Sequence, residues 1–304
     1  MTTRPLLKPA RFHTIKQAQV QLSAARPVRV QHLDVAGEVA PHDHDFYELC
    51  IIRSGTALHR AEHFDLPMQP GTVGIMPPAR FHAIQQVNNL RVTNVYYLAE
   101  WLLADLKSFW EQEGLVPLFL AANLFRRNDL IRTLQFDLTP EEAEAAFREL
   151  DETEREQQRA KPSLLYVRAC FLKFLVLLCR AYARQADRAL GFEFRREIWM
   201  ALHHMEEQIE NAEPLHVDAL ARHVHLSVDH LSRIFRQATG YAPLEYFQRR
   251  RIQQACRLLL NPQLSVTEIG AMLGYADSAH LCRLFKRQVG QTPKEFRKSY
   301  VNAG

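Results

Sequence analysis

Three histidines and one glutamate, His42, His44, Glu48 and His82, are the residue types that hold a divalent metal or bond the hydroxyls of a small molecule. Imidazole with carboxylate suits Mn, Fe, Zn or Ni. Placed in a metal-free pocket, the same groups would grip a polar effector directly. His42, His44 and Glu48 are all even-numbered, so a continuous strand would send them to one face. His82 stands on a later run, eleven residues past Gly71. A second set lies near the other end of the chain. Arg233 and Arg283 stand fifty positions apart on matching helical stretches, and a guanidinium can bond two acceptors at once.

The elements that carry those arginines are duplicated. The stretch 231–250, LSRIFRQATGYAPLEYFQRR, lies over 281–300, LCRLFKRQVGQTPKEFRKSY, without a gap. Leu231/Leu281, Phe235/Phe285, Gly240/Gly290, Pro243/Pro293 and Glu245/Glu295 are identical pairs, as are the two arginines. A fixed period of this kind means one supersecondary unit built twice. Ser227 and Asp277 stand where helix N-caps belong. Gly240 and Gly290 supply C-terminal stops, with a proline three residues on. Upstream of each copy lies a shorter helical stretch, 217–224 and 266–273, and a turn. Short helix, tight turn and longer helix make a helix-turn-helix, here at about 215–237 and 266–287. Ala221 and Gly270 are small where the two helices approach.

Charge follows the repeat. Residues 215–304 hold thirteen Lys and Arg against six Asp and Glu, whereas 1–214 hold 25 against 28. A basic excess confined to the repeated region is what phosphate binding requires.

The segment 251–298 resembles the DNA-binding signature of AraC/XylS-type transcription regulators. The matching positions include Arg251, Ala255, Leu258, Ser265, Glu268, Ile269, Gly274, Tyr275, Asp277, Arg283, Phe285, Gly290, Pro293 and Arg297. The resemblance implies two helix-turn-helix units joined by a linker helix at about 243–260, each second helix entering a major groove on successive turns of double-stranded DNA. Carried over by position, the base-facing residues are Asp229, Ser232 and Arg233 in one unit and Ala279, His280 and Arg283 in the other. Arg236, Lys286, Arg249 and Arg250 are then expected on phosphates. Gly270 departs from the family's usual Ala, and Leu281 from a common aromatic. The resemblance also implies a homodimer that contacts RNA polymerase, an activator more than a repressor.

The front half reads as β structure. VRVQHLDV, FYELCIIR, TALHRA, GTVGIM, FHAIQQV and LRVTNVYYL alternate as short strands, with Gly37, Gly55, Pro70–Gly71 and Pro77–Pro78 as turns. The spacing Gly37…His42-x-His44…Glu48…Gly55, then Gly71…Pro77…His82, is similar to the cupin pattern, whose metal ligands are three His and one acidic residue in that order. This chain lacks one residue before His42 and has Ala79 and Gln86 in place of the usual Gly and Asn. The phrase HDHDFYELCIIRSGTALH looks like sensor domains of rhamnose-type, sugar-responsive members, so a sugar is the expected effector.

The expected fold is α+β in two domains. Residues 1–190 form a cupin-like sensing and dimerisation barrel with packing helices. Residues 191–304 form the all-α DNA-binding domain, with a linker near 186–195. At 304 residues, 47% hydrophobic and 24% charged, the chain is ordinary globular protein. Its start lacks a signal peptide's apolar core, and 164–182 is interrupted by Arg168, Lys173 and Arg180, so no membrane partner and a cytoplasmic protein are expected. The five cysteines show no metal spacing and read as reduced thiols. An alternative is a metal-dependent cupin enzyme fused to a DNA-binding tail. No further arrangement in the sequence supplies a general acid or base, so a non-enzyme is expected.

Overall fold

The computed structural model describes residues 13–301 except 24, 104–105, 113, 127–130, 132 and 186–194. The linker expected near 186–195 lies almost wholly outside the described residues. The front half is one eight-stranded sheet, β1 (His13–Ile15), β2 (Val28–Val35), β3 (Val39–His44), β4 (Tyr47–Ala61), β5 (Asp65–Met68), β6 (Thr72–Met76), β7 (His82–Tyr97) and β8 (Leu134–Asp137). The order is β1-β3-β7-β4-β6-β8, with β2 also on β7 and β5 on β4. β4 and β7 run antiparallel from Tyr47↔Tyr97 to Ala61↔His82.

Three of the sequence expectations change here. FYELCIIR and TALHRA are a single strand, and so are FHAIQQV and LRVTNVYYL. Gly55 is not a hairpin turn: it sits at φ +78° among register shifts in β4, where a Cβ would collide with the Asn89 carbonyl oxygen. The glycine bends the strand through a bulge rather than reversing it. His42 and His44 end β3, while Glu48 begins β4 after the bend at Asp45–Phe46, so the three do not share one continuous strand.

Alternation along β4 separates two environments. Tyr47, Leu49 and Ile51 face the helices, whereas Cys50 and Ile52 join Ala57, Met68, Met76, Leu90 and Val92 in an inner cluster. Residues from β4, β5, β6 and β7 meet in that cluster because the bulged strands curl the sheet onto itself.

Four short helices follow, α1 (Ala99–Leu102), α2 (Leu106–Glu111), α3 (Leu115–Phe119) and α4 (Ala121–Leu124), then α5 (Pro140–Gln157) and α6 (Leu164–Arg184). α5 starts at a capping box in which Thr139 and Glu142 exchange hydrogen bonds. The apolar side of α6, including Phe171, Phe174 and Leu178, packs into the sheet's outer core. None of the described helices is long and apolar enough to cross a membrane, and the five cysteines are free thiols.

The remainder is helical: α7 (Arg196–Glu210), α8 (Val217–His223), α9 (Val228–Thr239), α10 (Pro243–Leu259), α11 (Val266–Met272), α12 (Ser278–Val289) and α13 (Pro293–Val301). The caps fall where the sequence places them. Ser227 accepts from the His230 amide and Asp277 from the His280 amide. Gly240 and Gly290 close α9 and α12 at φ +82° and +83°. The first helix-turn-helix shares one apolar core with the sensor, through Leu220, Leu231, Phe235, Tyr246 and Phe247. Trp199 of α7 meets Trp110 edge to face at 4.7 Å. The second unit has its own core, Ile252, Ala255, Leu259, Ile269, Leu281 and Phe285. α10 runs through both.

Candidate functional site

The four residues expected at the sensor site meet despite the break between β3 and β4. Their ligand atoms all lie within 4.8 Å of one another. His44 Nε2 is 3.1 Å from Glu48 Oε2 and 3.4 Å from His82 Nε2, and His82 Nε2 is 3.8 Å from the same carboxylate oxygen. The His42 ring lies 4.4 Å from that of His82, tilted by 46°. Register explains the meeting: His42 pairs with His82 across β3 and β7, and Glu48 enters from the adjoining β4. His44, Glu48 and His82 are buried and His42 is half-buried, so the cluster opens at its His42 end.

Backbone carbonyls orient two of the rings. His42 Nδ1 donates to the Ala40 carbonyl and His44 Nδ1 to that of Phe46, each at 3.0 Å. Such outward bonds leave Nε2 of a neutral ring bare. Asn94, a residue the sequence reading did not single out, donates to Glu48 Oε1 at 2.7 Å and fixes the carboxylate. Burial opposes charge on His44, but the hydrogen bond and charge of Glu48 outweigh it and raise its pKa. Burial, with the neighbouring imidazoles, drives His82 well below its ordinary value. Burial likewise pushes the Cys50 thiol up to about 12.

His59 was also missed. The bulged β4 brings it to the inner face, its ring 5.5 Å from that of His82, where burial lowers its pKa to about 4.

At the other end, Asp229, Arg233, Arg236, Ala279, His280, Arg283 and Lys286 are all exposed and Ser232 is half-buried. All lie on α9 or α12, the second helices of the two units. His230, the repeat partner of His280, is exposed on α9 as well. One expected phosphate contact is corrected. Arg250 is 1% exposed and forms a bidentate pair with Glu206, Nε–Oε1 2.8 Å and Nη2–Oε2 2.9 Å. The linker helix turns that position into the core, where only a paired cation is tolerated. Arg249 is half-buried, its guanidinium 4.8 Å from the Tyr241 ring, and lines a cavity of about 260 Å³ between the sensor and the second unit.

Comparisons with known proteins agree with this division. The AraC-like ligand binding domain family matches residues 31–167, and a helix-turn-helix domain family matches 220–299. The HTH-type transcriptional activator RhaS of Escherichia coli strain SMS-3-5 is 26% identical over 266 residues, 84% of this chain and 87% of that protein. Among solved structures, ToxT from Vibrio cholerae O395 covers 90% of this chain and 98% of its own at 11% identity, with a TM-score of 0.39. An AraC-type DNA-binding domain protein from Chromobacterium violaceum covers 36% of this chain and 95% of its own at 30% identity, with a TM-score of 0.33.

A ligand-binding sheet domain in front of a paired helix-turn-helix defines an effector-responsive DNA-binding regulator. Residues 31–167 and 220–299 together carry the two domains of an AraC-type transcription regulator.

Proposed function

We propose that this protein is a transcription activator controlled by a carbohydrate held at His42, His44, Glu48 and His82. The observation that carries the reading is the convergence of four polar ligand atoms, three of the residues buried, in the domain matched as ligand-binding. A protein gains no stability from such a cluster unless something occupies it. The likeness to RhaS supports the sign of regulation and, with the phrase around His42–His59, the class of effector.

The donor set fits a divalent transition metal, because imidazoles oriented by outward hydrogen bonds and a fixed carboxylate are what such an ion requires. His42, His44, Glu48 and His82 would hold it, and when bound it would supply a Lewis-acidic anchor for ligand oxygens. The four side chains do the rest: Glu48, held by Asn94, accepts from hydroxyls, and the half-buried His42 stands at the entrance.

On DNA, Arg233 and Arg283 read guanine, with Asp229, Ser232, Ala279 and His280 against neighbouring bases and Arg236 and Lys286 on phosphates. A cytoplasmic homodimer that contacts RNA polymerase completes the proposal. The effector must prefer one arrangement of sensor and DNA-binding units, and the core they share around Phe235 and Tyr246 is the means of transmission.

The test uses the full-length chain, because the first helix-turn-helix is packed on the sensor. Operator binding is measured with and without sugars for the wild type and Glu48→Ala, together with the metal content of each. The variant should bind operator yet lose the sugar response and any metal. A normal response in the variant would place the effector elsewhere. Catalytic turnover lost in His44→Ala, with operator binding intact, would favour an enzyme.

A further inference from the structure

We infer that His59 is a second, deeper polar anchor of the effector site, and that the group it takes is an uncharged hydroxyl. This deepens the effector reading of the sensor and rests on it.

His59 is fully buried, and its Nδ1 lies 3.0 Å from Gln135 Oε1 on β8. The amide of Gln135 cannot be turned round, because its Nε2 donates to the Pro67 carbonyl at 2.8 Å. A flipped amide would set two carbonyl oxygens against each other. Gln135 Oε1 can only accept, so the imidazole proton is on Nδ1 and Nε2 is a bare lone pair. Among the described residues that Nε2 has no hydrogen-bond partner, although it is out of contact with solvent. The second ring of the pair has an orphan too: His82 turns Nε2 to the Glu48 cluster, and its buried Nδ1 is unpartnered.

A buried acceptor left unsatisfied is costly, and native proteins keep such atoms where a ligand completes them. The chemistry of the occupant follows from the surroundings. His59 Nε2 needs a donor, which a carboxylate or a phosphate dianion is not. The Phe64 ring lies 5.2 Å from that of His59, and Gly74 is flanked by His59 together with the sulfurs of Cys50 and Met76, so an ammonium would be stripped of water beside apolar groups. The nearby Glu48 is already engaged by His44 and Asn94. A hydroxyl both donates and accepts without charge. His42, His82 and His59 thus form a row from the half-exposed rim to the sheet's interior, with ring separations of 4.4 and 5.5 Å. A compound with several hydroxyls along one edge matches it.

The experiment titrates full-length protein by calorimetry with neutral hexoses, 6-deoxyhexoses and hexitols, and with hexuronates as anionic controls. It compares the wild type, His59→Gln, and the double variant His59→Phe/Gln135→Leu, which removes both members of the buried pair. At least one neutral polyhydroxy compound should bind the wild type and bind the double variant at least about tenfold more weakly. His59→Gln, whose amide oxygen can accept in place of Nε2, should recover part of the loss. Equal sugar affinity in the double variant would overturn the role of His59 and leave the effector reading standing. Binding confined to the hexuronates would overturn the hydroxyl. Failure of every neutral compound on the wild type would sink the inference and the carbohydrate reading together.

Discussion

Arg250 and Glu206 form a two-pronged ion pair, 2.8 and 2.9 Å, with both residues almost wholly out of water. The pair ties the linker helix α10 to α7. The next residue, Arg251, faces the other unit: its guanidinium bonds the Leu273 carbonyl and lies 3.8 Å from the Tyr275 ring. Two neighbouring arginines therefore tie α10 to different elements, one to α7 and the other to the turn after α11. Removing one member of a buried pair strands the other charge. Arg250→Met should cost about 3–5 kcal/mol of unfolding free energy, and Glu206→Leu/Arg250→Met much less than the sum of its single changes. Denaturant unfolding of the four proteins measures the coupling. Additive losses would mean that the pair is solvent-screened.

Gly240 and Gly290 are repeat partners with the same left-handed conformation, yet only one meets the sensor. A Cβ on Gly240 would lie 2.9 Å from Arg126 Cβ and 3.2 Å from its backbone, whereas one on Gly290 would meet nothing within 4 Å. The Arg126 amide donates to the Thr239 carbonyl beside it. Gly290→Ala should cost only the left-handed strain, about 1–2 kcal/mol. Gly240→Ala should cost that and a further overpacking penalty of about 1 kcal/mol or more, measured by denaturant unfolding. Equal costs would show that the sensor does not rest on the end of α9 in solution.

What could be read from the sequence divides by distance along the chain. The caps at Ser227 and Asp277 and the stops at Gly240 and Gly290 were legible because their partners lie within four residues. His42, His44, Glu48 and His82 were legible from spacing, although the strand reasoning behind it failed at Asp45–Phe46. The burial of Arg250 was not, since its partner lies 44 residues upstream and RRR reads as a solvated face. His59 was hidden behind Gly55, a residue that punctuates a strand in sequence and only bends it in space.

The histidine at position 59 leaves a mark on stability. Its ordinary pKa of 6.5 falls to about 4 in the folded chain, chiefly through burial. Above pH 6.5 neither state carries the proton and the ring has no effect on pH dependence. As pH drops from 6.5 towards 4, the unfolded chain takes up a proton that the folded chain refuses, so stability falls by up to about 3 kcal/mol. Unfolding free energies of the wild type and His59→Phe across this window should diverge at the acid end, the variant losing less. Parallel curves would mean that the ring can take up the proton without unfolding.

Arg283 and Lys286 lie one turn apart on α12, both exposed, and are expected to do different things to DNA. A guanidinium on a guanine edge discriminates between bases, so Arg283→Ala should weaken operator binding by about 1–3 kcal/mol and random duplex far less. Lys286, as a phosphate contact, should weaken both DNAs alike when changed to Ala, and lower the slope of log affinity against log salt by about one. Titrating operator and scrambled duplex at several salt concentrations separates the two. The same loss on both duplexes for Arg283→Ala would move that arginine from the base edges to the backbone. Base readout by the second unit would then pass to His280 and Ala279.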